Sequence, residues 1–464
     1  MSEIEGSFIT GRPVGGTENS WCRAVHGGTG IAAVVLLLSK PLDLSLLQNS
    51  LHNLQNAHPI LRSKLRRDPT SATFSLFTPP NPTLQIQSFD LQSTAQILLS
   101  GDPALTPLSL ILERELNRNA WRDGDPTTPS EADVFFASTY ALDGGRWAVA
   151  LRLHTAVCDV ATAVGLLREL LAATRRGTTA ERDIGSESGE VSLGIEDLIP
   201  NGKAYKPLWA RGVDMIGYSL NFLRLANLNF GDVESPRSSQ VVRLKMNSDD
   251  TRRILDGCKS RGIKLCGALA AAGLLAARSS KRLPLHQWEK YSVVTLVDCR
   301  SILHPPLPAH RPGFYHSAIQ NTHDLNGEER LWELATRTYK SFENAKNSNK
   351  HFSDMADLNF LMCKAIDNPG LTPSSSLRTC LVSVFEDPVI DKLNEMCRET
   401  GLEDYMGCAS VHGVGPSIAI FDTIRDGELD CACVYPEPLH SREQMQQLVD
   451  DMKRVLRDGC VPLC

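Results

Sequence analysis

The sequence predicts two α/β lobes, each a mixed sheet packed with helices, with the working cleft between them. Three observations lead there. The chain has 464 residues, more than one ordinary hydrophobic core accommodates and enough for two. Both halves open on the same local grammar, a strand followed by a capped helix. Between them lies TRRGTTAERDIGSESGEVS, a small, polar and charged stretch with the composition of a crossover linker. The expected division is an N-terminal lobe over residues 1–175, a linker over 176–206 and a C-terminal lobe over 207–464.

In the first half, IAAVVLLL is a short apolar run of the kind that forms a strand buried on both faces. Asp43 then caps a helix whose Leu47, Leu51, Leu54, His58 and Leu61 share one face, and Pro59 bends or ends it. ATFSLF and LQIQSF alternate as strands around the Pro/Thr turn TPPNPT. DVFFASTYAL and GRWAVALRLH read as a hairpin across Asp143-Gly144-Gly145, and ATAVGLLRELLAAT follows as an apolar-striped stretch. The second half starts near Gln240 with the strand QVVRLKM. Ser248 and Asp249 are placed to cap the helix TRRILDGCKSRG, and a second helix runs through GALAAAGLLAA. The apolar stretch YKPLWARGVDMIGYSLNFLRLANLNF before it is expected to pack on a lobe, and one strand of this half to cross toward the first. The chain closes on the strands IAIFDT and LDCACVY across Arg425-Asp426-Gly427. In the last helix Ser441 and Gln444 form a capping box, and Met445, Leu448, Val449, Met452 and Val455 make the buried stripe.

Composition removes several function classes. Hydrophobic residues make up 42% and charged residues 22%, as in a water-soluble globular chain. The net charge of −6 and the short basic runs argue against a nucleic-acid groove. No apolar run approaches the roughly 20 residues of a membrane span. MSEIEG lacks a signal-peptide pattern and has Ser2 where myristoylation needs glycine, and CVPLC has no prenylation cysteine. Thirteen cysteines without a C-x-x-C pair read as reduced thiols, so a cytoplasmic protein without a metal site is expected.

Several motifs, in order, carry a family resemblance. HPILRSKL (58–65) resembles the "rHp-LR" segment of the condensation-domain and alcohol-acetyltransferase group, and HTAVCDV (154–160) aligns with that superfamily's H-H-x-x-x-D-G. LVDCRSILHPPLPAHRPGFYHS (296–317) is similar to the "D-x-R-x-R-x-P-P-L-P-…-G-N" segment of BAHD acyltransferases, and the closing strand-turn-strand-helix also fits. The resemblance spans nearly the whole chain and implies two chloramphenicol-acetyltransferase-like lobes, with acyl-CoA and acceptor meeting in the tunnel. It implies no cofactor beyond acyl-CoA as co-substrate, a small-molecule acceptor, no membrane or nucleic-acid partner, and a monomer. Two departures stand out. The BAHD "DFGWG" is reduced to DYMGCAS (404–410), and Thr155 and Val160 occupy the places of the second histidine and the glycine.

Thr155 matters because acyl transfer to a hydroxyl or amine needs a base of near-neutral pKa within reach of the acceptor proton. A threonine hydroxyl is far too weakly basic. Candidate catalytic residues are His154, Thr155 and Asp159. The resemblance makes Asp159 structural, in a buried bidentate pair with Arg300, and makes His154 a packing residue. Strand alternation agrees: with Thr155 toward the tunnel, His154 faces the lobe interior. Candidate cleft residues are His316, His412 (followed by Gly413) and Ser383, each also readable as an ordinary surface or core residue. The glycine sets GGTG (27–30) and GVG (413–415) are better explained as turns than as dinucleotide loops. Three readings follow. The chain is an acyl-CoA-dependent acyltransferase with a non-standard site acting on a small amine or alcohol, a scaffold reused for elimination or cyclisation in specialised metabolism, or a non-catalytic ligand-binding protein.

Overall fold

Thr29–Leu38, the IAAVVLLL strand, has both faces buried, and both faces have a use. Val34, Leu36 and Leu38 pack with Leu47, Leu51 and Leu54 of the helix Leu44–Ala57 and with Leu166, Leu167 and Leu170 of the helix Val160–Arg176. Ala33 and Val35 face the other way, onto Leu108, Ile111 and Leu112 of the helix Pro107–Asn117. Described in this computed structural model are residues 10–68, 73–122, 130–176, 192–212, 217, 225–372, 376–391 and 399–460. Most of the expected linker, 177–191, lies outside the described residues, as does most of the stretch 213–224.

The Thr29–Leu38 strand belongs to a five-stranded sheet whose order is Leu402–Val411, Thr29–Leu38, Trp147–His154, Phe135–Ala141, Ile86–Phe89. Its first member comes from the far end of the chain. Leu402–Val411 pairs antiparallel with Thr29–Leu38, Met406 opposite Val35 and Ala409 opposite Ala32. This is the crossing strand of the second half. A seven-stranded sheet forms the other lobe, in the order His316–Leu325, Glu289–Asp298, Val382–Phe385, Ile418–Arg425, Glu428–Glu437, Ser238–Met246, with Val389–Asp391 also paired to Ile418–Arg425. A four-stranded sheet (Thr10–Pro13, Phe74–Thr78, Lys64–Arg67, Ser130–Asp133) flanks the first lobe. The architecture is the expected mixed α/β one.

The helix Leu265–Ser280 lies almost wholly inside the second lobe, which is why it is built from alanine and glycine. A Cβ on Gly267 would sit 2.9 Å from the carbonyl oxygen of Ala335, and one on Gly273 2.9 Å from Val382. The small residues let this helix lie directly on its neighbouring helix Leu331–Asn347 and on the central strand.

Charged groups tie the crossing strand to the second sheet. Asp404 accepts from Arg243 at 2.6 Å and from Arg425 at 2.6 Å, while Arg243 also reaches Asp430 at 2.5 Å. Beyond the strand, the buried guanidinium of Arg378 donates to the carbonyls of Ser376 (3.0 Å), Val411 (2.9 Å), Pro416 (2.6 Å) and Gly413. It pins the return loop through backbone acceptors.

Two capping expectations change in detail. Asn247, one residue ahead of Ser248 and Asp249, caps the helix Ser248–Ser260, its side chain accepting from the amide of Asp250 at 2.8 Å. That amide is at the third helical position, which a residue just outside the helix reaches best. Ser441 does cap its helix, at 3.2 Å from the amide of Gln444, but the Gln444 side chain turns to the carbonyl of Asn229 at 3.0 Å instead of closing the box. Asp43 caps as expected, at 3.0 Å from the amide of Leu46.

Candidate active site between the lobes

Strand Trp147–His154 ends in a tight turn, Thr155–Val157, and Asp159 then starts the helix Val160–Arg176. Asp159 is placed by that job. Its Oδ1 accepts from the amide of Thr162 at 2.9 Å, an N-cap bond that fixes the carboxylate at the helix entrance. The rest of its bonds come from the other lobe. Arg300 Nη2 donates to Oδ1 at 2.9 Å, the amide of Tyr315 donates to Oδ2 at 2.9 Å, and His316 Nδ1 lies 3.0 Å from Oδ2. Main-chain contact runs alongside, from the amide of Asp159 to the carbonyl of Gly313 at 3.3 Å.

Asp159 and Arg300 therefore meet across the lobes, with one correction. The pair is not bidentate, because Tyr315 and His316 occupy the second carboxylate oxygen. Arg300 spends its remaining donors on Thr162 Oγ1 (3.1 Å), Asp298 (3.1 Å) and the carbonyl of Arg311 (2.9 Å), with its guanidinium 5.0 Å from the Tyr315 ring centroid. Burial alone would raise the Asp159 carboxyl. The pull of His316 in its protonated form, the charge of Arg300 and the hydrogen bonds of both outweigh it and hold the group well below the usual carboxylate range.

A cavity of about 170 Å³ opens beside this carboxylate. Thr155, Asp159, His316 and Ser383 all line it, with walls from both lobes. Its aromatic side is a continuous row: Trp21 and Phe314 at 5.1 Å between centroids, Phe314 and His316 at 6.2 Å, His316 and Phe385 at 5.8 Å, Phe385 and Phe421 at 5.2 Å. Gly30, Ala32, Gly407 and Ala409 give the side of small residues. Only scattered polar atoms interrupt this apolar lining.

Thr155 turns its hydroxyl onto the backbone carbonyl of Gly30 and donates to it. The oxygen keeps lone pairs that can accept a hydrogen bond from a ligand, and its proton is committed. Gly30 has φ 95°. A Cβ there would lie 2.9 Å from the Trp21 ring and 3.1 Å from Thr155 Oγ1. We expect Gly30→Ala to cost about 1–3 kcal/mol, because it adds backbone strain to a collision. A urea midpoint shifted by less than the scatter of replicate melts would show that this wall yields freely.

The other two candidates lie elsewhere. His154 is fully buried in the first lobe, edge-on to Trp121 at 5.0 Å between centroids. Its Nδ1 accepts from the amide of Ala156 at 3.0 Å, and burial pushes it down to about 3, so the ring is neutral. It does not border the cavity. His412 sits against Gly28, its Nδ1 3.0 Å from Ser239 Oγ, also outside the cavity lining; burial, then the charges of Arg378 and Arg122, push it down to about 4.

Residues 235–345, which include Arg300 and His316, match the family model "Phthiocerol/phthiodiolone dimycocerosyl transferase C-terminus". No curated protein matches the chain. Among solved structures, a trichothecene 15-O-acetyltransferase from Fusarium sporotrichioides aligns with a TM-score of 0.72 at 12% identity, covering 99% of this chain and 97% of its own. Polyketide synthase associated protein 5 from Mycobacterium tuberculosis gives 0.63 at 15%, covering 97% and 98%. The epimerization domain from the third module of tyrocidine synthetase B gives 0.62 at 14%, covering 99% and 98%. The chain has the two-lobed fold of the acyltransferases and condensation domains. Within that fold the aspartate and arginine of the expected motifs meet, and the cavity lies between the lobes beside them.

Sequence reasoning missed Trp21, Phe314, Phe385 and Phe421 as cavity walls, and it missed the partnership of His316 with Asp159. Trp21 comes from the helix Gly16–His26, an element without a strong apolar stripe in sequence. The only prior pointer to His316 was its place at the end of the stretch 296–317.

Proposed function

We propose that the protein transfers an acyl group from a coenzyme A thioester to a small, apolar amine or alcohol bound in the cavity between the lobes. One observation carries the reading: a cavity walled by both lobes and bordered by Asp159, the partner of Arg300, in a fold that solved acyl-transferring proteins share. The match of residues 235–345 to a transferase family model supports the reaction class. The aromatic row and the small-residue wall support an apolar acceptor, because burial of apolar surface is the main source of affinity such a lining offers. Thioester and acceptor held together would gain several kcal/mol from orientation alone.

Thr155, its proton committed to Gly30, favours a second reading in which the cavity binds a ligand without chemistry. Thiol release separates the two. Acetyl-, malonyl- and aromatic acyl-CoAs are incubated with the purified chain and a panel of apolar alcohols and amines. We expect thiol release that depends on one of the acceptors. Calorimetric binding of an acceptor with no release from any thioester would favour the second reading.

A further inference from the structure

We infer that the acid–base group of this site is His316, carried by the second lobe, with Asp159 as its orienting carboxylate. The inference rests on the acyl-transfer reading above and adds the residue that moves the proton.

His154 is buried away from the cavity and its Nδ1 is already occupied. The Thr155 hydroxyl already donates its hydrogen bond to the Gly30 carbonyl and is far too weakly basic to take a proton. The Cys158 thiol borders the cavity, but burial pushes it far up, and its Sγ lies 3.5 Å from the carbonyl of Asp159. Asp159 itself is consumed: Thr162, Arg300, Tyr315 and His316 all bond its two oxygens. His316 lines the same cavity and differs from all of these. One ring nitrogen, Nδ1, is held by Asp159 at 3.0 Å. With Nδ1 carrying the proton toward the carboxylate, Nε2 keeps its lone pair and is the nitrogen left to a ligand. Phe314 and Phe385 pack on the ring and fix its plane. A carboxylate that sets tautomer and orientation beside a ring facing a cavity is the arrangement general-base catalysis requires.

The step balances without any further reagent. Nε2 takes the proton of the acceptor hydroxyl or amine as that oxygen or nitrogen bonds to the thioester carbonyl carbon. The resulting tetrahedral adduct expels sulfur, the C–S bond breaks, and Nε2–H returns the proton to the thiolate. Ester or amide and free thiol leave, and His316 is neutral again. Because His316 and Asp159 come from different lobes, the base exists only while the lobes are joined.

The test uses the acyl-CoA and acceptor that give thiol release with the parent protein. His316→Asn keeps a donor for Asp159 and lacks the second ring nitrogen. We expect kcat to fall about 10²–10⁴-fold with the melting temperature little changed. His316→Ala leaves a hole beside Asp159, and added imidazole should restore turnover there. Thr155→Val should lose no more than about 10-fold, a hydrogen bond's worth, and should not respond to imidazole. A His316→Asn rate within threefold of the parent, or a His316→Ala variant that folds and ignores imidazole, overturns the assignment while leaving acyl transfer standing. A parent inactive toward every thioester overturns both.

Discussion

Arg300→Ala is expected to cost about 3–5 kcal/mol of folding stability, the range for removing one partner of a buried ion pair. Arg300 and Asp159 are both 2% exposed at the side chain, so water cannot replace the lost partner. The change would strip Asp159 Oδ1 of its cation, leave the carbonyl of Arg311 without two donor contacts, and remove one of the donors to Thr162 Oγ1. His316 and the amides of Thr162 and Tyr315 would remain on Asp159, which keeps the loss at a few kcal/mol. Urea denaturation of parent and variant measures it directly. A difference below 1 kcal/mol would mean that the two lobes are held mainly by the crossing strand and its Asp404 network. Arg300→Lys should recover little, since one ammonium cannot serve Asp159, Asp298 and the Arg311 carbonyl from a planar fork.

This pair also shows what a sequence can convey. Asp159 and Arg300 lie 141 positions apart, and nothing local connects them. They were legible because each sits in a motif resembling one in a known superfamily, and the order of the motifs implied the fold. Period-two alternation separated His154 from Thr155, since neighbours on a strand must face opposite ways. What stayed hidden was the choice of partner for the second oxygen of Asp159. A bidentate arginine and an arginine shared with a histidine fit the same residues in sequence. Three-dimensional packing decides, by bringing the first residue of the strand His316–Leu325 under the helix entrance. The aromatic row was hidden for the same reason: Trp21, Phe385 and Phe421 come from three separate elements, Phe314 from a loop, and they share no pattern. The crossing strand LEDYMGCASV was partly legible, as an expectation that some strand of the second half would leave it. Its identity depends on Asp404 meeting Arg243 and Arg425, which only the sheet register reveals.

Asp422→Asn is expected to make the protein more stable at pH 8 and to change how stability depends on pH. Asp422 lies on the strand Ile418–Arg425 and is itself among the residues that line the cavity, with Ala419, Phe421 and Thr423. Alternation puts its carboxyl with Ile418 and Ile420, on the helix side of the sheet. It is 3% exposed, and neither oxygen has a hydrogen-bond partner among the described residues. Burial, opposed by its own amide and aided by the charge of Asp387, pushes it up to about 7. The sign follows from proton counting: between about 4 and 7 the folded protein holds a proton here that the unfolded chain has lost, so stability falls as pH rises through this window. Above the folded value the penalty is complete, on the order of 4 kcal/mol. Asparagine has no charge to desolvate and should remove most of it. Several buried histidines act in the opposite sense. Burial depresses His154 and His440 to about 3 and His323, His351 and His412 to about 4, so their neutral packing favours folding above about 6.5 and is lost as pH falls. The parent curve mixes both slopes, and only the difference between variant and parent isolates Asp422. That difference, from urea midpoints at pH 5, 6, 7 and 8, should grow with pH and level off near 8. A flat difference would show that Asp422 is ionised throughout, with a counter-charge or water reaching the helix side of the sheet.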